Sequence, residues 1–426
     1  MSRILIEGGR VIDPSQNLDR VTNLLIEGNR VVGYDVARNG QNVIIDARGK
    51  IVSPGLIDIH VHLREPGREE DETIATGTAA ALAGGFTSIA CMPNTEPPID
   101  TQAQVEFIQH QAALADHCNV FVVACVSRNR EGKELAEIGQ LSEAGAVAFT
   151  DDGAPVFDAE LMRRAFEYTS MFKRPILNHA EVRELTQGGV MHEGLVSLSL
   201  GLAGMPAVAE DAMTSRDILL AEATGGRIHI MHVSSGGSVE LIRRAKRRGV
   251  AVTTEVCPHH FTLTDESLRS FDSNFKMSPP LRSAHDVEAC IAGLADGTID
   301  VICTDHAPHA LEKKMQELDQ APFGIVGLET ALGLVVTQLI APGRLTWPQA
   351  IEKMTINPAR VLGLEKGTLA IGAEADVTII DPERVWKVDS SRFASKSKNS
   401  PFHGWSLKGR AETVLVGGRV KYRAEN

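Results

Sequence analysis

Six cysteines in 426 residues, scattered and with no Cys-x-x-Cys pair, leave neither a disulfide framework nor a zinc ribbon to read. Cys91, Cys118, Cys125, Cys257, Cys290 and Cys303 lie mostly inside apolar runs and are expected to be buried free thiols. No apolar run approaches the roughly 20 residues of a membrane span. Met1 leads into the strand-like ILIEGGRVID without a charged-then-apolar leader, so a cytoplasmic protein with no membrane contact is expected. Basic tails and patches are missing too. A formal net charge of -12 argues against nucleic acid as a partner, because phosphate binding needs a basic surface. No G-x-G-x-x-G or P-loop follows any apolar run, which removes the motifs of an open, doubly wound nucleotide-binding sheet. What remains, 43% apolar and 23% charged, is the composition of a globular protein with room for one large domain and an appendage, or for two domains.

Organisation follows from pattern. Residues 1–53 read as short strands and turns (ILIEGGRVID, VTNLLIEGNRVVGYD, NVIIDARGKIVSP), and residues 367–426 have the same character in GTLAIGAEADVTIID and AETVLVGGRVKY. The two ends together predict one small β-sandwich domain. Between them, residues 54–366 alternate apolar runs with segments of helical spacing such as DETIATGTAAALAG and TQAQVEFIQHQAALADH. The runs are 56–63, 86–94, 120–126, 146–152, 175–179, 228–233, 250–256 and 299–305. Eight strands alternating with helices predict a closed, TIM-like (β/α)8 barrel. Nearly every run ends in polar residues: His60 and His62, Asn94, Asp151 and Asp152, Asn178 and His179, His232, Asp305. Strand ends tolerate polar residues because water begins there. That does not explain the choice of His and Asp over Ser, Lys and Glu on five strands.

The stretch LIDIHVHLREPG, Leu56 to Gly67, is the centre of this pattern. Side chains alternate across a strand, so Asp58, His60 and His62 share a face, and a His-x-His pair suits a transition metal. If the strand persists, Arg64 follows about 7 Å further on and can hold a substrate anion beside the metal. His60, His62, Asp152, His179, His232 and Asp305 provide enough ligands for a zinc site with an open position, or for two metals sharing a carboxylate. Zinc lowers the pKa of a bound water from about 16 to about 7. Metal-assisted hydrolysis is therefore the expected reaction class, with Asp305 as the candidate proton carrier. Adjacent Asp151 and Asp152 face opposite ways on a regular strand, so only one of them can meet the metals. CPHH, Cys257 to His260, also looks like a ligand cluster, but its proline-turned spacing favours a plain turn. RRAKRR, Arg243 to Arg248, reads as cations at a helix C-terminus. EKKMQELD reads as a mobile flap or a solvated helix.

HVHLREPG, MPNT (Met92 to Thr95), TDDG (Thr150 to Gly153), NHAE (Asn178 to Glu181), TDHAPH (Thr304 to His309), APFGIVGLET (Ala321 to Thr330) and SKSKNSPFHGW (Ser395 to Trp405) together resemble the dihydroorotase family of the amidohydrolase superfamily. The resemblance runs nearly end to end and implies reversible cyclisation of N-carbamoyl-L-aspartate to L-dihydroorotate, the third step of pyrimidine synthesis. It implies one or two zinc ions on His60, His62, Asp152, His179 and His232, with Asp305 carrying the proton. It further implies that Arg64, Asn94 and His309 hold the ring carboxylate and that the backbone at Phe323 and Gly324 meets the ring amides. Many relatives bridge their metals with a carbamylated lysine on the fourth strand. VAFTDDG has none, which points to the bacterial branch that uses aspartate. Family members commonly carry Asn where this chain has Ser278, whose hydroxyl reaches less far toward substrate. Asn178 and Glu181 are either orienters of His179 or plain turn residues. The alternatives are a hydantoinase or allantoinase, which needs no carboxylate clamp, and an inactive homologue serving as scaffold for aspartate carbamoyltransferase. A homo-oligomer is expected, with aspartate carbamoyltransferase as a partner.

Overall fold

Parallel strands, each followed by helix or loop, make up the middle of the chain. The structure, a computed structural model, describes residues 3–40 and 43–425. Barrel strands one to eight are Leu56–Val61, Phe86–Cys91, Asn119–Ala124, Ala146–Phe149, Ile176–Asn178, Ile228–Ile230, Val252–Val256 and Val301–Ile302. Each pairs in parallel with the next. A bridge between Val61 and His306, with a 2.9 Å hydrogen bond from His62 N–H to the His306 carbonyl, joins strand one to the segment after strand eight.

The runs are nearly continuous in apolar residues because both faces are buried. Ala90, Val123, Ala148, Leu177, Met231, Val301 and Cys303 form one buried cluster. Their neighbours Ile89, Val122, Phe149, Ile176, Ile230 and Ile302 belong to a second, which packs the strands against helices through Ile108, Met162 and Phe166. The helices start and stop where local chemistry directs. Ile74–Gly84 begins at a Thr73 capping box with Thr76 and ends at Gly85, whose φ of 96° suits a residue without a Cβ. Gly236–Arg247 ends in Arg244, Lys246 and Arg247, which oppose its dipole.

Both ends of the chain contribute to a separate mixed sheet. Its order is Arg419–Arg423, Ser406–Val416, Val377–Lys387, Ile51–Pro54, Arg3–Asp13, Leu18–Glu27 and Arg30–Tyr34, with Val43–Asp46 paired to Arg3–Asp13 off this path. Ile6, Val11, Leu24, Ile26, Val52, Val377 and Leu415 fill its core. Ile51–Pro54 runs straight into barrel strand one, so this sheet anchors the strand that carries His60.

The barrel strands are shorter than the apolar runs. Asn94, Asp152, His179 and Asp305 all lie beyond the last paired residue, where side chains turn toward the barrel mouth. Arg64 corrects the expectation of a strand persisting past His62. Pairing stops at Val61, and Arg64 adopts a left-handed φ of 61°. All six cysteines are free and buried. No helix among the described residues is long and apolar enough to cross a membrane.

Candidate metal centre

A cavity of about 660 Å3 opens at the end of the barrel where these strand ends meet. Its floor brings together the six residues with donor atoms for a metal. The ligating atoms of His60, His62 and Asp152 lie within 4.8 Å of one another, as do those of His60, His232 and Asp305, and those of Asp152, His179 and His232. Asp152 Oδ1 is 3.8 Å from His60 Nε2 and 3.7 Å from His179 Nδ1, and Asp152 Oδ2 is 3.5 Å from His62 Nε2. Asp305 Oδ1 is 3.0 Å from His62 Nε2 and 3.5 Å from His60 Nε2. Asp151 goes elsewhere: its carboxylate accepts from Val126 N–H, Ser127 N–H and Ser127 Oγ. Those bonds tie strand three to strand four and leave Asp152 to face the histidines.

These side chains fit a transition metal. Each imidazole with a second contact makes it on the nitrogen away from the cluster. His60 Nδ1 meets Glu255 Oε1 at 2.6 Å, His62 Nδ1 meets Asn94 Oδ1 at 2.8 Å, and His179 Nε2 meets Glu181 Oε2 at 2.9 Å. Such partners set ring orientation in metal sites. His60 Nε2 and His232 Nδ1 are buried and make no hydrogen bond among the described residues, an arrangement native proteins rarely leave without a purpose. Three carboxylates, Asp152, Asp305 and Glu255, packed against four imidazoles favour positive charge at the centre. Burial alone would drive the His60 ring neutral, but Asp305, Glu255 and Asp152 outweigh it and raise its pKa to about 10. Burial likewise opposes ionisation of Asp305, yet His60, His62 and His232 hold it well below the usual carboxylate range. Arg64, His232 and Asp305 all carry positive φ (61°, 33° and 45°), conformations worth about 1 to 3 kcal/mol of strain each that cluster at functional sites.

The far side of the cavity is cationic. Arg64 is only 5% exposed, donates from Nε to the Pro308 carbonyl at 3.2 Å, and has no carboxylate partner among the described residues. Burial first, then Arg68, lowers its pKa to about 10, so it stays charged at neutral pH. His309 Nε2 lies 3.5 Å from the guanidinium and 2.8 Å from the Phe323 carbonyl. Asn94, Ser278 and Phe323 line the same cavity, as does Arg183 at the rim. Both ends of the Asn94 amide are engaged, since Nδ2 also donates to Asp152 Oδ2 at 3.1 Å; one Nδ2 hydrogen remains for another acceptor. Gly324 lies behind Phe323, and a Cβ there would stand 2.5 Å from the Ala307 carbonyl oxygen and 2.6 Å from the His309 ring. Only glycine allows that approach.

The remaining tempting groups resolve individually. His259 and His260 lie in a 3-10 turn, Pro258–Phe261, that Cys257 precedes, and the three bring their donor atoms within 4.8 Å. His260 Nε2, however, is already engaged with the Pro279 carbonyl at 2.9 Å, and burial raises the Cys257 thiol to about 12. EKKMQELD is pinned by Lys314, whose buried Nζ donates to the carbonyls of Pro322 and Gly324, and by Lys313 bonded to Glu70 and Asp71. Asn178 turns away to Asp217. Glu255 went unread in the sequence, although a glutamate in the strand VTTEV, within the run 250–256, was signal enough.

A family model described as Dihydro-orotase-like matches residues 49–238. A dihydroorotase of Pelotomaculum thermopropionicum is 56% identical over 98% of each chain, and one of Syntrophus aciditrophicus is 52% identical over 99% of this chain and all of its own. The chain belongs to the dihydroorotase family. Among solved structures, an L-hydantoinase from Arthrobacter aurescens superposes with a TM-score of 0.90 at 27% identity, covering 100% of this chain and 97% of its own. The barrel with a sheet from both chain ends is therefore shared within the amidohydrolases. No lysine among the described residues lines the cavity of this dihydroorotase-family chain, and the fourth strand end contributes Asp152 to it.

Proposed function

We propose that this chain is a zinc-dependent cytoplasmic dihydroorotase, interconverting N-carbamoyl-L-aspartate and L-dihydroorotate. The observation that carries the reading is one cavity with two chemically different ends: six metal-type donors from five strands on one side, and on the other a buried guanidinium with no carboxylate partner among the described residues. His60, His62, Asp152, His179 and His232 would hold the metal, with Asp305 beside them. Zinc, when bound, would lower the pKa of a water and polarise the ring carbonyl.

The residues supply the rest. Arg64, with His309 and Asn94 nearby, would fix the substrate carboxylate through paired charge-assisted hydrogen bonds. That would orient the ring so that its amide bond lies over Asp305, with Ser278 and the backbone at Phe323 and Gly324 contacting ring polar groups. Asp305, held ionised by the surrounding imidazoles, accepts the proton of the attacking water. As the ring C–N bond breaks, the proton passes to the leaving nitrogen. In the closing direction the same carboxylate takes the proton from the ureido nitrogen and delivers it to the departing oxygen. Association with itself or with aspartate carbamoyltransferase is part of the proposal, and light scattering with and without the transferase tests it.

Zinc content and dihydroorotate hydrolysis, measured on one preparation, test the main reading. Stoichiometric zinc with turnover is expected. A metal-replete protein that opens dihydrouracil as readily as dihydroorotate would move the hydantoinase reading ahead.

A further inference from the structure

The segment 395–399, SKSKN, belongs to no regular element. It leaves the terminal sheet after Val377–Lys387 and passes across the barrel mouth. Burial along it alternates: Ser395, Ser397 and Asn399 are buried, Lys396 is exposed and Lys398 half-buried. The pattern is that of an extended strap with one face on the barrel. Each inward residue ties down a loop. Ser395 Oγ donates to Glu72 Oε2 at 2.5 Å, and Ser397 Oγ donates to the Asp71 carbonyl at 2.6 Å, both in the loop after strand one.

Asn399 is different, because everything its side chain touches belongs to the anion end of the cavity. Its Oδ1 accepts from His309 N–H at 3.2 Å, and its Nδ2 donates to the Ala307 and Gly324 carbonyls, both at 3.0 Å. Its own carbonyl accepts from Val326 N–H at 3.0 Å. One amide, 4% exposed, thus joins the loop carrying His309 to the loop carrying Phe323 and Gly324. The metal end is held by other means, including Glu255 on His60 and the His62 to His306 backbone bond.

We infer that Asn399 is a positioning residue for substrate specificity, setting the separation of the His309 and Phe323–Gly324 loops so that they and Arg64 close on a substrate carboxylate. The inference rests on the dihydroorotase reading above. No smaller or charged side chain reproduces the role. Alanine strands one N–H and two carbonyls, and aspartate keeps the shape but cannot donate to those carbonyls.

The test compares dihydroorotate with dihydrouracil, which lacks the carboxylate, at high enzyme concentration, using zinc-loaded wild type, Asn399→Ala and Asn399→Asp. In both variants, KM for dihydroorotate should rise at least about tenfold with kcat within about threefold. For dihydrouracil, kcat/KM should stay within about threefold, and zinc content should be unchanged. A purely structural role would lower both substrates by the same factor, and that result would overturn the inference, as would an unchanged KM. If neither variant folds, Asn399 serves the fold rather than substrate choice and the inference fails. Failure of the underlying function reads differently: wild type itself would then show no preference for dihydroorotate.

Discussion

Glu255→Gln is the substitution that most directly probes how the protein prepares its metal centre. Glu255 is fully buried on strand seven, with Oε1 2.6 Å from His60 Nδ1 and Oε2 3.2 Å from His229 Nε2. Glutamine preserves the volume and still accepts the His60 N–H, so the ring is not released; only the charge is lost. A hydrogen bond to a charged group is worth about 1.5 to 3 kcal/mol and a neutral one about 0.5 to 1.5, so the change is about 1 to 1.5 kcal/mol. Because 1.4 kcal/mol is tenfold, zinc affinity should fall by about tenfold, the low end of the roughly 10 to 100-fold range for such orienting partners. Glu255→Ala, which strands His60 Nδ1 over a cavity, should reach the upper end and lower the melting temperature as well. The assay is zinc titration of chelator-stripped protein against a chromophoric competitor, with circular dichroism to show that each variant is folded. Zinc binding by Glu255→Gln within twofold of wild type would refute the argument that this carboxylate conditions the His60 ligand.

Asp305→Asn should lower kcat by about 100 to 10,000-fold while most of the zinc is retained; near wild-type turnover would remove Asp305 from proton transfer. Activity should be indifferent to bicarbonate, since the fourth strand ends in Asp152, whose carboxylate already faces the histidines, and stimulation by added bicarbonate would contradict this. Wild type should prefer dihydroorotate to dihydrouracil by at least about a hundredfold, since two charge-assisted hydrogen bonds at about 1.5 to 3 kcal/mol each come to about 3 to 6 kcal/mol and 1.4 kcal/mol is tenfold. Arg64→Ala should forfeit most of that preference through dihydroorotate alone, a result that paired kcat/KM measurements would show or deny.

The barrel and its donor set were legible because both are written at strand level. Apolar runs recur with helical stretches between them, and His or Asp stands at their ends whatever the details of pairing. What escaped depends on how chain segments far apart meet. Alternation could say that only one of Asp151 and Asp152 faces inward. The choice is made by Val126 and Ser127, whose N–H groups capture Asp151 from the neighbouring strand end. Arg64 was read on a continuing strand, whereas the chain turns at that residue through a left-handed conformation and still delivers the guanidinium to the cavity. Glu255 does not stand out by the rule of polar strand ends, because it lies within strand seven, ahead of Val256. Asn399 could not be assigned to the mouth at all, because its partners lie some 75 to 92 positions earlier.

The pairing of Ile51–Pro54 with Val377–Lys387 also constrains how the molecule comes into being. The two strands are separated by more than three hundred residues, so during synthesis one edge of Ile51–Pro54 waits for a partner not yet made. At roughly 5 to 20 residues per second, the wait lasts about 15 to 65 s. The strap at 395–399 arrives later still. A ribosome-bound chain therefore holds most of a barrel whose mouth is unlaced and whose anchoring sheet has an open edge, the kind of surface on which chaperones act.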